Sequence, residues 1–205
     1  MNEHSMWYLS RASGMVAWVV LGITCLWGIL LVTRMLKPAD RPAWLLDLHR
    51  YLGVLSIVTV AIHMATLVGD NWEHYGWSEL FVPFTGLEYS NTAAIAWGVF
   101  AFYLMVVIQL TSWAMKRLPR RLWHGIHLLS YVLFVMVTIH GFMAGSDSTN
   151  VVFFAVACGG IAILLFALVA RVLQGRAKRV QRARGGPRLA TTDGVAAGGD
   201  RRPCS

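Results

Sequence analysis

Five long apolar runs, at about 15–33, 45–68, 92–113, 122–144 and 151–172, constrain this chain more than any other feature. Each is near the ~20 residues that a helix needs to cross a hydrocarbon core. Inside a bilayer every backbone N–H and C=O must be satisfied by the protein itself, which leaves only helices and closed barrels. The runs lack the period-2 alternation of barrel strands. The expected fold is therefore an all-α integral membrane protein, a five-helix transmembrane bundle. Composition agrees: 14% of the 205 residues are charged, against roughly a quarter in a soluble domain.

The formal net charge of +8 would suit a nucleic-acid partner, but its distribution argues for lipid instead. Arg34, Lys37 and Arg41 fall between the first and second runs with Arg50 near the start of the second, and Lys116, Arg117, Arg120 and Arg121 fall between the third and fourth. Nine more basic residues follow from Arg171 onward, whereas segments 69–91 and 145–150 contain none. The positive-inside rule then places the amino terminus outside and the carboxyl terminus in the cytoplasm of a multi-pass cell-membrane protein. Arg11 is the one basic residue expected outside. Residues 1–14 form an extracytoplasmic amino terminus in this scheme, 15–173 the membrane domain, and 174–205 a disordered basic cytoplasmic tail. The 176–188 portion of that tail suits anionic lipid head groups, or is a solvated stop-transfer run. The first run lacks the basic flank and cleavage site of a signal peptide.

Ionisable residues within a span are functional candidates by default, and two spans carry two histidines each. His49 and His63 lie fourteen positions apart, and His127 and His140 thirteen. With one hairpin between them, the second and fourth helices run in the same direction. His49 and His127 are then level near the cytoplasmic face, and His63 and His140 near the outer one. Either pair spans roughly 20 Å along its helix. Imidazole is the commonest metal ligand, so two levels of paired histidines suggest two haems stacked across the bilayer, between helices two and four. No C-x-x-C-H motif is present, and Cys25, Cys158 and Cys204 are scattered, so such haems are expected to be held non-covalently.

Angles are less regular than depths. Fourteen positions return His63 to within about 40° of His49, while thirteen leave His140 about 140° from His127 on an ideal helix. The fourth helix should therefore be kinked or π-bulged, or the second haem plane rotated. His124, one turn before His127, competes with it as the ligand.

At these residues the chain resembles the ferric reductase-like transmembrane domain family. The match lies in His49-Arg-Tyr-Leu-Gly through His63, and in Trp123-His-Gly-Ile-His127-Leu-Leu-Ser-Tyr through His140-Gly. Relatives include the membrane halves of ferric reductases and NADPH oxidases, and the haem subunit of the bacterial methionine-sulfoxide reductase system. The resemblance covers about 7–172. It implies an inner haem b between His49 and His127, an outer haem b between His63 and His140, and those four side chains as axial ligands to iron. Many members have six helices, and the full reductases add a flavin and nicotinamide domain. Here five helices are evident, and the stretch after 174 is too short for such a domain. An oxidoreductase component is expected, with electrons supplied by a separate cytoplasmic flavoprotein or membrane quinol and passed to an extracytoplasmic acceptor. Two alternatives stand beside it: a dedicated haem subunit for a periplasmic reductase, and a non-redox transporter whose histidines bind metal or relay protons.

Bis-histidine ligation closes both axial positions of a haem iron, which favours electron transfer over ligand chemistry. Haem propionates need basic partners: Arg50 and Arg121 are candidates at the inner level and Arg11 at the outer. Snorkelling to lipid phosphates is the competing role for Arg50 and Arg121. Gly53 and Gly141 adjoin the histidines, where a small residue admits a macrocycle or a neighbouring helix. Phe134 falls midway between His127 and His140, as core, as a lipid-facing residue or between the haems. The nine methionines are flexible core packing. Segment 69–91 is aromatic and acidic, an interfacial belt or a lid over the outer haem, with His74 as a possible metal contact.

Overall fold

A computed structural model describes residues 5–33, 43–70, 75–85, 91–145 and 150–184. Seven helices are present among them: α1 (Ser5–Thr33), α2 (Ala43–Val68), α3 (Trp77–Phe81), α4 (Thr92–Trp113), α5 (Arg120–Leu128), α6 (Ser130–Ala144) and α7 (Val151–Arg184). Five spans are long and apolar enough to cross a membrane, with α5 and α6 together forming the fourth. No strand occurs among the described residues. The chain is a multi-pass, all-helical membrane protein.

Two helix boundaries differ from those expected. Helix α1 begins at Ser5, within the stretch assigned to an extracytoplasmic terminus. Helix α7 continues to Arg184, past the tail boundary expected near Gln174. The reason is propensity: Leu173, Gln174, Arg176 and Ala177 are good helix formers. They extend a helix whose costly nucleation the membrane span has already met. The remainder of the expected tail, 185–205, lies outside the described residues.

The fourth span is interrupted two residues after His127. Leu129 closes α5 with its N–H on the Ile126 carbonyl at 3.0 Å, the i−3 bond of a tightened last turn. The chain then restarts at Ser130. The interruption falls between the two histidines, the interval where the sequence called for a kink, a π-bulge or a rotated haem plane.

Packing divides the bundle into two hairpins. Helix α1 lies along α2, and α4 along α6, with α5 also against α4. Helix α1 bridges them by touching α6 and α7, while α2 meets α4 only lightly and has no substantial packed interface with α5 or α6. The two histidine-bearing spans are thus held apart, and α1 sets their spacing. Trp18 fixes that bridge: its indole N–H donates to Thr138 Oγ1 at 2.9 Å, and its ring lies 5.5 Å from Phe134. At α2's start, Trp27 Nε1 donates to the Leu45 carbonyl at 2.9 Å.

Between the two histidine levels lies an apolar cluster, part of which also lines the cavity described below. Leu21, Cys25, Ala101, Met105, Ile108, Leu133 and Phe134 form a buried cluster from α1, α4 and α6. Phe134, 6% exposed, presses against Gly22 of α1, where a Cβ would come within 3.2 Å of its ring. Phe134 is a core residue.

Thr138→Val should strip the partner from Trp18 Nε1 and cost about 1 kcal/mol, the scale of an interhelical bond in a membrane. Thermal unfolding in detergent measures this. No loss relative to the native chain would mean that the α1–α6 bond does not hold the hairpins together.

Candidate functional site

The level that the charge pattern places outside is a half-open cavity of about 1190 Å³ lined by α1, α2, α4, α6 and the start of α7. It exceeds the ~300–1,000 Å³ of ordinary small-molecule pockets. His63 of α2 and His140 of α6 both line it, together with Arg11, Gly14, Gly98 and Gly141. From the outer segment come Tyr75, Leu80 and the buried Asp70. That segment therefore contributes wall to the cavity, as a lid would. Tyr103 Oη anchors it by donating to the Phe81 carbonyl at 2.8 Å. His74 lies outside the described residues.

Hydrogen bonds decide which nitrogen of each outer imidazole is free. His63 Nδ1 lies 2.9 Å from the Ser10 carbonyl, and His140 Nδ1 2.7 Å from the Ala94 carbonyl. A carbonyl can only accept, so in each neutral ring Nδ1 carries the proton and donates. The lone pair is left on Nε2. This is the arrangement in which a metal-ligating histidine is ordinarily held, with its second ring nitrogen bonded to a carbonyl or carboxylate.

At the inner level His49 and His127 face each other with ring centroids 6.0 Å apart and planes 79° from parallel. A single metal atom bonded at ~2.0 Å to one nitrogen of each ring fits that separation. His127, not His124, is turned toward His49; His124 is exposed beside Trp123. Trp123 stacks on His127 at 5.3 Å and 20°. His127 Nδ1 lies 3.4 Å from Ser112 Oγ, and that hydroxyl donates its one proton to the Ile108 carbonyl at 2.7 Å. Ser112 therefore offers His127 a lone pair, and the proton again belongs on Nδ1.

Among the described residues two buried side-chain polar atoms lack a hydrogen-bond partner, His49 Nδ1 and Trp123 Nε1, and both belong to the inner level. The Thr24 backbone on α1 lies close to His49 but outside ordinary hydrogen-bond geometry. An orphaned indole N–H beside a histidine pair is the donor that an anionic group would complete.

The expected basic residues lie in different settings. Arg11 lines the outer cavity with its guanidinium 4.2 Å from the Trp7 ring centroid. Arg50 is exposed and paired with Asp47 at 3.0 Å, and Arg121 is exposed on α5. Arg171 was not singled out by sequence, because it stands among the basic residues that end the last span. Helix α7 brings it inward, where Nη1 donates to Tyr131 Oη at 2.5 Å and its charge reaches His127. Ser112 gave no signal either, since a serine in an apolar run has no fixed partner until two helices are docked. Of the small residues noted beside the histidines, Gly141 fronts open space, and Gly53 faces Gln109, where a Cβ would sit 3.3 Å from Oε1.

No three His, Cys, Asp or Glu side chains converge among the described residues. Two imidazoles alone make a poor cage for a bare ion but a complete axial set for a haem, which brings its own four nitrogens. The donor set, the apolar cavity and the orphaned donor all fit that group.

Fold and site define a multi-pass membrane protein with two tiers of paired histidines. A family model described as "Ferric reductase like transmembrane component" matches residues 13–138, well over half of the chain. The protein belongs to the ferric reductase-like transmembrane family. Membrane domains of this family generally bind haem and point to transmembrane electron transfer. The match takes in His49, His63 and His127 and ends two residues before His140. Comparison with curated proteins and with solved structures found no match.

Trp123→Phe should keep the stack on His127 while deleting an unsatisfied donor. In haem-free protein it is expected to be neutral or stabilising by up to about 1 kcal/mol, measured by thermal unfolding in detergent. A clear destabilisation would show that Nε1 has a partner.

Proposed function

We propose that this chain carries electrons across the membrane through two b haems, an inner one held by His49 and His127 and an outer one held by His63 and His140. The observation that carries this reading is the ring bonding at the outer level. Both imidazoles spend Nδ1–H on a helix carbonyl and keep the Nε2 lone pair in one cavity. When bound, haem would supply one-electron redox chemistry, with these histidines as the residues that would hold its iron.

The protein's own residues bind, orient and insulate. Ser10, Ala94 and Ser112 fix the ring tautomers through His63, His140 and His127. Trp123 holds the plane of His127 by stacking. Arg11 would supply positive charge to propionates at the outer level and Arg171 at the inner level, where the neutral Trp123 indole would add a hydrogen-bond donor, with Arg50 and Arg121 at the cytoplasmic rim. The cluster around Phe134 excludes water between the levels. Electrons enter from a separate cytoplasmic flavoprotein or a membrane quinol and leave to an extracytoplasmic acceptor. The chain is thus an oxidoreductase component with the amino terminus outside.

A reduced-minus-oxidised spectrum with pyridine haemochrome quantification tests this. About two low-spin b haems per chain are expected, as four axial histidines require. His63→Leu or His140→Leu should remove one haem and leave the other, and His49→Leu or His127→Leu should remove the complementary one. Loss of both haems from every variant, or of neither, would refute the two-level pairing.

A further inference from the structure

Three of the four histidines lie against a glycine of the helix opposite. His63 lies against Gly14, where a Cβ would sit 3.0 Å from its Cε1 and 3.1 Å from its Nδ1. His49 lies against Gly28, with Cε1 3.2 Å from such a Cβ, and His140 against Gly98, at 2.8 Å from Cε1 and 2.9 Å from Nδ1. For two of them the acceptor stands four residues before the glycine, Ser10 for His63 and Ala94 for His140, whereas His49 Nδ1 has no hydrogen-bond partner.

That offset has a geometric cause. In a helix the carbonyl of residue i points at the N–H of residue i+4, whose Cβ leans back toward the amino terminus. The Cβ of i+4 therefore covers the side from which another donor could approach that carbonyl. A glycine uncovers it. A carbonyl has two lone pairs, so one can serve the helix and the other the imidazole.

We propose that Gly14 and Gly98 are positioning residues, notches that let a buried imidazole reach a helix carbonyl, set its Nδ1–H tautomer and direct Nε2 to the haem, and that Gly28 gives the His49 ring the same room on α1. This rests on the haem reading above. The spacings support it independently. Gly14 and Gly28 are fourteen residues apart on α1, as His49 and His63 are on the antiparallel α2. Fourteen residues after Gly98 on α4 comes Ser112, the partner of His127. The fourth position thus keeps the register and offers a hydroxyl in place of an uncovered carbonyl.

The test compares full-length Gly98→Ala, Gly14→Ala and Gly28→Ala with two controls. Gly22→Ala presses on Phe134 rather than on an imidazole, and Gly159→Ala has open space around it. Haem affinity at each level is read by haemin titration, and ring tautomers by nitrogen NMR of histidine-labelled, haem-free protein. Gly98→Ala should release His140 from the Nδ1–H tautomer and weaken the outer haem roughly 10–100-fold, the usual cost of losing such a support. The inner haem should be unchanged. Gly14→Ala should act at the same level through His63, more mildly because its contact is longer, so the outer level stays testable if Gly98→Ala does not fold. Gly28→Ala should weaken the inner haem alone, and the controls should match the native chain in both readouts.

Native tautomer and native outer-haem affinity in Gly98→Ala would overturn the proposal. So would Gly22→Ala reproducing its effects, which would reduce the glycines to general packing. If the native chain binds no haem, the functional reading fails on its own. The tautomer measurement then still decides whether the glycines act as notches.

Discussion

A neutral imidazole buried in a bilayer brings one N–H that water cannot reach and one lone pair that must stay free if it is to ligate. The helix around it offers few acceptors, because its carbonyls already serve their own ladder. For three of the four histidines the bundle meets this need across a helix–helix contact, with α1 providing for His63 and α4 for His127 and His140. Each hairpin thus has a donor helix bearing histidines and an acceptor helix that seats them. Much of the remaining architecture follows. Seating requires close approach within each hairpin, while ligation requires space between hairpins, and α2 accordingly packs on α1 and stands clear of α6.

Helix α1 is the piece on which both demands converge. It holds Ser10 and Gly14 against His63 at one end, and Thr24 and Gly28 beside His49 at the other. Between them, Trp18 and Gly22 reach across to Thr138 and Phe134 of the second hairpin. A single rigid helix therefore sets the depth of two histidines, the distance between hairpins and the packing of the plug between the levels. The break at Leu129 is the matching adjustment on the other side. It falls between His127 and His140, which an ideal helix would aim about 140° apart.

Charge is distributed to the same plan. Arg11 stands at the outer cavity, and Arg171 is drawn inward by Tyr131 at the inner level. A guanidinium on an apolar span is costly unless partnered, and the tyrosine hydroxyl and ring together provide that partner. The exposed Arg50 and Arg121 are free of such constraint and follow the interface.

The sequence alone determined the five spans, their alternating direction and the depth of the four histidines. These depend only on run length, charge asymmetry and 1.5 Å of rise per residue, all of them one-dimensional quantities. It also called for a kink, a π-bulge or a rotated haem plane between His127 and His140 without choosing among them. What only the tertiary structure decided was which groups meet: His127 rather than His124 opposite His49, Ser112 and Arg171 at the inner level, and glycines under three imidazoles. Rotation about a helix axis and the choice of neighbouring helix fix those meetings. An apolar run carries little record of either, because lipid and protein core reward the same side chains. The fourteen-residue interval shared by Gly14 with Gly28 and by His49 with His63 was present in the chain throughout. It acquires meaning once α1 and α2 are seen to lie antiparallel and in contact.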